Sequence, residues 1–139
     1  MPMPMEYRTA QRDFDAFMVA LRDRSGLTST HQTYTMLEAV FLAFRRRLAP
    51  RDVVLFADAL PPVLRGLFLT AWDPEQAPCP MGTPQEWIAD VKALRPDHNL
   101  SPPSSISDVG SALREALGET VFSDLLSRLP EPARAFWLA

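Results

Sequence analysis

The sequence is poor in the residues on which most chemistry depends. Its 139 residues include one cysteine, Cys79, and two histidines, His31 and His98. A lone cysteine cannot close an internal disulfide, which suits a reducing compartment and leads us to expect a cytoplasmic protein. Basic charge is also short, because 14 Lys and Arg stand against 17 Asp and Glu, for a net charge of −3. Nucleic-acid binders draw most of their affinity from phosphate contacts, so no nucleic-acid partner is expected. No apolar run approaches the roughly 18 residues of a membrane helix. Nor does the N-terminus join a basic region to an apolar one, so neither a signal peptide nor a membrane partner is expected. No segment alternates with period two, so no sheet is expected. The motifs G-x-G-x-x-G, G-K-S/T, G-x-S-x-G and H-E-x-x-H are all missing.

What the sequence does have is apolar residues, at 47%, and 14 prolines. The stretch Leu37 to Trp72 organises them. Leu37, Val40, Phe41, Phe44 and Leu48 form one stripe of a 3.6-residue helix. Arg45, Arg46 and Arg47 fall in its final turn, where cations oppose the negative end of the macrodipole. Pro50 fits the first turn of a second helix with Val53, Phe56, Ala57 and Leu60 on its face. Pro61 should stop that helix at Leu60. Leu64, Leu67, Phe68 and Trp72 make a third stripe.

A weaker copy returns 69 positions later, over Ile106 to Leu138. Val40 pairs with Val109, Arg45 with Arg114, Leu48 with Leu117, Leu60-Pro61 with Leu129-Pro130, and Arg65 with Arg134. Stripe and proline joint recur in the same order, which points to duplication. A shift of 70 pairs Phe17, Met18 and Leu21 with Trp87, Ile88 and Val91, so each half should open with a further helix. Two copies are too few for a solenoid. The expectation is an all-α single domain over 1–139, with two pseudo-repeated four-helix halves, about 13–72 and 84–138, packed into one helical globule. The segment 73–83, with Pro74, Pro78, Pro80 and Gly82, is the linker between them.

Local signals refine the boundaries. Residues 1–12 read as a loose arm, with Asp13 capping the first helix and Gly26 stopping it. Ser29 to Gln32 and Thr83 to Glu86 read as capping boxes, and Ser105 to Asp108 as another capping signal. Residues 95–105 read as a second linker, and Gly118 as a helix stop.

Several of these residues carry a family likeness. Ala39-Val40, Leu48, Ala57-Asp58, Leu60-Pro61, Leu64-Arg65, Leu67 and Trp72-Asp73-Pro74, followed by Leu129-Pro130, Arg134 and Trp137, resemble the bacterial family called domain of unknown function 2267. The resemblance runs from about residue 14 onward. It implies an all-helical bacterial protein and no particular activity. The Pro/Cys linker and the 95–105 segment look elaborated relative to the family pattern.

No catalytic, cofactor-binding or metal-ligating set emerges. Cys79 in Pro78-Cys79-Pro80 could serve as a thiolate ligand for haem, or for a metal with Asp97 and His98. It has no neighbouring base or cation in the sequence to lower its pKa, and no helical i, i+4 or C-x-x-C spacing supports a metal. No cofactor is therefore expected. Arg65 and Arg134 each follow a joint proline by four residues. Each suits a cap or salt bridge to the preceding helix, or a symmetric pair facing a shared anion. The residues left as candidate ligand or partner contacts are Arg65, Arg134, Trp72, Cys79 and His98. The functional expectation is a non-enzymatic interaction or regulatory module that binds an unknown protein or itself. The alternative is a small-ligand binder using an apolar cleft between the halves, flanked by Arg65 and Arg134.

Overall fold

The computed structural model describes residues 2–138, leaving Met1 and Ala139 outside. Among the described residues it is all helix: α1 (Met5–Arg8), α2 (Ala10–Ser25), α3 (Thr30–Arg45), α4 (Pro50–Asp58), α5 (Pro62–Leu69), α6 (Pro84–Ala93), α7 (Ser105–Leu117), α8 (Glu119–Ser127) and α9 (Glu131–Leu138). None of the helices is long and apolar enough to cross a membrane.

The proline joints lie where the sequence puts them. Pro50 opens α4, and Pro61 and Pro62 stand at the start of α5. Gly26 closes α2 in the left-handed conformation, φ 78°, its N–H donating to Arg22 O. At Thr83 the hydroxyl accepts from Glu86 N at 3.3 Å and opens α6. Ser29 Oγ accepts from Gln32 N at 3.2 Å, but the second arm of that box goes elsewhere. Gln32 Oε1 takes the amide and hydroxyl of Thr28 instead of the Ser29 amide.

Three boundaries differ from the sequence reading. Residues 1–12 are not a loose arm where described, because α1 occupies Met5–Arg8 and α2 begins at Ala10. Asp13 is therefore inside α2, not its cap; it accepts the Thr9 hydroxyl at 2.6 Å one turn earlier. Ser105 is likewise inside α7, and its hydroxyl is buried without a partner. The preceding Ser104 donates to Asp108 at 2.8 Å. Finally, α5 ends at Leu69, so Trp72 lies beyond its stripe, after Ala71 in the left-handed region at φ 56°.

The segment 95–104 folds back on α6. Asn99 Nδ2 donates to Val91 O at 2.7 Å and Leu94 O at 2.8 Å, which satisfies carbonyls that the end of α6 leaves open.

Helices from either side of the linker interleave. The first long helix, α2, packs on α7, while α3 packs on α6 and also on α7. Likewise α5 packs on α3 as α9 packs on α7. In between lies one apolar core with aromatics from both sides. Phe44 is at its centre, within 4.9–6.4 Å (ring centroids) of Phe56, Phe68, Phe136 and Trp137. Trp87 joins through Phe136 at 5.2 Å. Aromatic pairs at such distances add to the area they bury.

Candidate functional site

The candidate contact residues separate into distinct places. Arg65 belongs to the frame: its Nε donates to Ala57 O at 3.2 Å and its Nη2 to Leu60 O at 2.9 Å, across the end of α4. Those are carbonyls a helix terminus leaves without partners. Arg134 is half-buried; its N–H donates to Pro130 O at 3.1 Å, and its side chain makes no hydrogen bond or ion pair among the described residues. His98 is exposed in a turn closed by its own N–H donating to Arg95 O at 2.8 Å. Among the described residues no group of three or more His, Cys, Asp or Glu side chains could hold a metal ion.

Trp72 and Cys79 share one place. They line one small pocket of about 80 Å³ with Arg45, Arg46 and Asp73. Cys79 N donates to Arg46 O at 2.9 Å, tying the linker to the end of α3. The arginine run is built into the same corner. Arg45 Nη1 donates to Phe68 O at 2.8 Å and Thr70 O at 2.9 Å, where α5 ends. Desolvation by burial lowers the Arg45 pKa from its ordinary value. Arg47, whose side chain is only 4% exposed, pairs with Asp90 at 2.7 Å and donates to Ala43 O and Met81 O. Arg46 reaches the same Asp90 at 3.3 Å from a more exposed position. The run is thus a tertiary clamp joining α3, α5, the linker and α6, and more than a helix end stabilised by its dipole.

A concavity larger than this pocket lies between the two sides of the chain. It has a volume of about 340 Å³, and its walls come from α2, the start of α5 and the end of α7. Ala10, Ala16 and Ala20 on α2 face Ala112 and Ala116 on α7, with Phe14, Phe17, Pro61, Val63 and Leu64 completing the apolar lining. The alanines leave a groove because they carry no side chain long enough to fill the space between the helices. The charged groups lining it are two carboxylates, Asp13 and Glu115. Glu115 Oε2 pairs with Arg24 at 3.1 Å, linking α7 to α2. Neither Arg65 nor Arg134 lines this groove.

The family model described as an uncharacterized conserved protein (DUF2267) matches residues 14–136. The chain belongs to that family. A comparison with curated proteins finds no match.

In this DUF2267 protein the matched region takes in the Arg45 pocket and the α2–α5–α7 groove except for Ala10 and Asp13. A second apolar concavity flanks α2 on its other side, lined by Phe14, Asp15, Met18, Val19, Thr30, His31 and Tyr34. Phe14 is shared by both, so α2 forms a ridge with a shallow trough along either side. Val19 and Tyr34 remain 43% and 39% exposed there. Such surfaces bind by shape and apolar contact, with charge at the edge to orient what they take. Alanines gave no sequence signal for the groove, because they also read as ordinary helix formers.

Proposed function

We propose that this protein is a non-enzymatic interaction module whose α2–α5–α7 groove receives an apolar segment of a protein partner. The observation that carries this reading is the groove itself, an alanine-floored trough whose charged lining is Asp13 and Glu115. Apolar walls would hold one or two large side chains, and the carboxylates favour a Lys or Arg beside them. This is the pattern of an amphipathic helix laid in a groove. The acidic lining disfavours a second copy docking through the same face, since like carboxylates would approach each other. The single cysteine suits a partner met in a reducing compartment, and we place the protein in the cytoplasm on that ground.

A small-ligand reading has one observation of its own. The groove volume, about 340 Å³, falls at the lower end of the range for small-molecule sites, roughly 300–1,000 Å³. A ligand there would be apolar with a cationic group.

We also read the two sides of the chain as copies of one unit. In support, α4 and α8 are each 9 residues long and α5 and α9 each 8, and both pairs are offset by 69 positions. On that reading the groove lies between two halves of a duplicated helical unit, with 73–83 as the linker.

Substituting Ala116→Arg tests the interaction reading. Ala116 is exposed and lines the groove, so a long cationic side chain fills the trough without entering the core. The expected result is loss of binding to an amphipathic helical peptide carrying Leu and Lys, with the melting temperature unchanged. Undiminished binding would remove the groove from the account.

A further inference from the structure

We propose that the pocket at the end of α3, lined by Arg45 and Arg46, binds a small oxyanion, a phosphate or carboxylate group, at the free donors of the Arg45 guanidinium. Arg45 is a half-buried cation with no carboxylate within ion-pair distance among the described residues. Two carbonyls, Phe68 O and Thr70 O, hold its Nη1 in place. Its Nε and Nη2 make no hydrogen bond among the described residues, so these donors remain available beside the pocket. A partly desolvated charge without a counter-charge is costly, and an arriving anion offsets that cost.

The rest of the pocket suits such a ligand. Arg46 also lines the pocket and adds a second positive charge there, its side chain 57% exposed and paired with Asp90 through one nitrogen only. The volume of about 80 Å³ admits a group of a few heavy atoms and excludes a large ligand. Both walls are fixed by the backbone: Cys79 N is bonded to Arg46 O, and Trp72 N donates to Leu69 O at 3.1 Å. Asp73 is the one opposing charge in the lining, and its Oδ1 accepts Glu75 N at 2.9 Å. Two arginines against one aspartate leave the pocket net positive. Guanidiniums bind phosphate and carboxylate alike through paired N–H donors.

The test is titration of the full-length chain with inorganic phosphate, acetate and chloride at constant ionic strength, followed by amide NMR shifts. Phosphate or acetate should move the amides of residues 45–48 and 72–79 saturably, and chloride should not. Arg46→Gln should weaken binding several-fold, because the pocket loses one of its two positive charges. Asp73→Asn should tighten it. Arg45→Met should abolish it, and if that variant fails to fold because α5 loses its cap, the Arg46 and Asp73 variants still decide. Stronger binding of phosphate would point to a phosphate ester as the natural ligand, and stronger binding of acetate to a carboxylate. Equal shifts with chloride, or affinities unchanged in both the Arg46 and Asp73 variants, would mean ionic screening only and would overturn the proposal.

Discussion

Phe56 of α4 and Trp137 of α9 lie parallel, with ring centroids 5.8 Å apart and an interplanar angle of 1°. The two residues are far apart in sequence and come from opposite sides of the linker. Both also touch Phe44, at 4.9 and 5.0 Å. The aromatic core therefore depends on both sides of the chain at once.

Trp137→Ala should cost about 3–5 kcal/mol, through lost apolar burial and the cavity left beside Phe44 and Phe56. Trp137→Phe should cost less, because the ring is partly replaced and the buried indole Nε1–H, which has no partner, is removed. Urea unfolding followed by circular dichroism measures both.

Neither side should fold alone. Separated at the linker, α2 loses α7 and α3 loses α6, which exposes apolar faces that those contacts cover. Peptides spanning 2–78 and 79–138 should each show weak, non-cooperative helicity, and mixing them should restore the cooperative transition. A sharp independent melt of either fragment would contradict the shared core.

Arg47→Ala should destabilise by about 2 kcal/mol, since it leaves two backbone carbonyls without their donor and Asp90 with only its contact to Arg46. Arg47→Lys should not restore stability, because one ammonium on a flexible stem cannot reproduce the planar fork that serves all three acceptors. Thermal melts of the two variants check this.

Gly118 joins α7 to α8 at φ 90° and ψ 148°, a region essentially closed to other residues. An added Cβ there would meet nothing within 4 Å, so Gly118→Ala isolates the backbone term. The expected loss is about 1–3 kcal/mol in denaturant unfolding.

Much of the fold was legible because it rests on local rules. The stripes through Leu37–Phe44 and Val53–Leu60 are buried as their period implies, and Pro50, Pro61 and Gly26 mark turns by restricting or freeing the backbone. Boundary errors arose where local signals competed. At the N-terminus the Pro/Met composition hid α1, and at α7 the adjacent Ser104 and Ser105 left the start ambiguous by one residue.

The candidate sites were less legible because their partners are distant in sequence. Nothing near Arg45 indicates that it will meet carbonyls at Phe68 and Thr70, nor near Arg47 that it will meet Met81 and Asp90. Arg65 was readable as a helix cap because its acceptors lie within eight residues. The cleft expected between basic residues is lined instead by Asp13 and Glu115. Its shape comes from alanines, whose small size matters only once α2 and α7 are side by side.

The proposed role is tested most directly by site-specific photocrosslinking in the native cell. A photoreactive residue at Ala16, exposed in the groove, should form an adduct with a partner through an apolar segment bearing Lys or Arg. The same group at Gln85, exposed at the start of α6, should not. Adducts at Gln85 matching those at Ala16, or none at Ala16, would contradict the groove as the partner site.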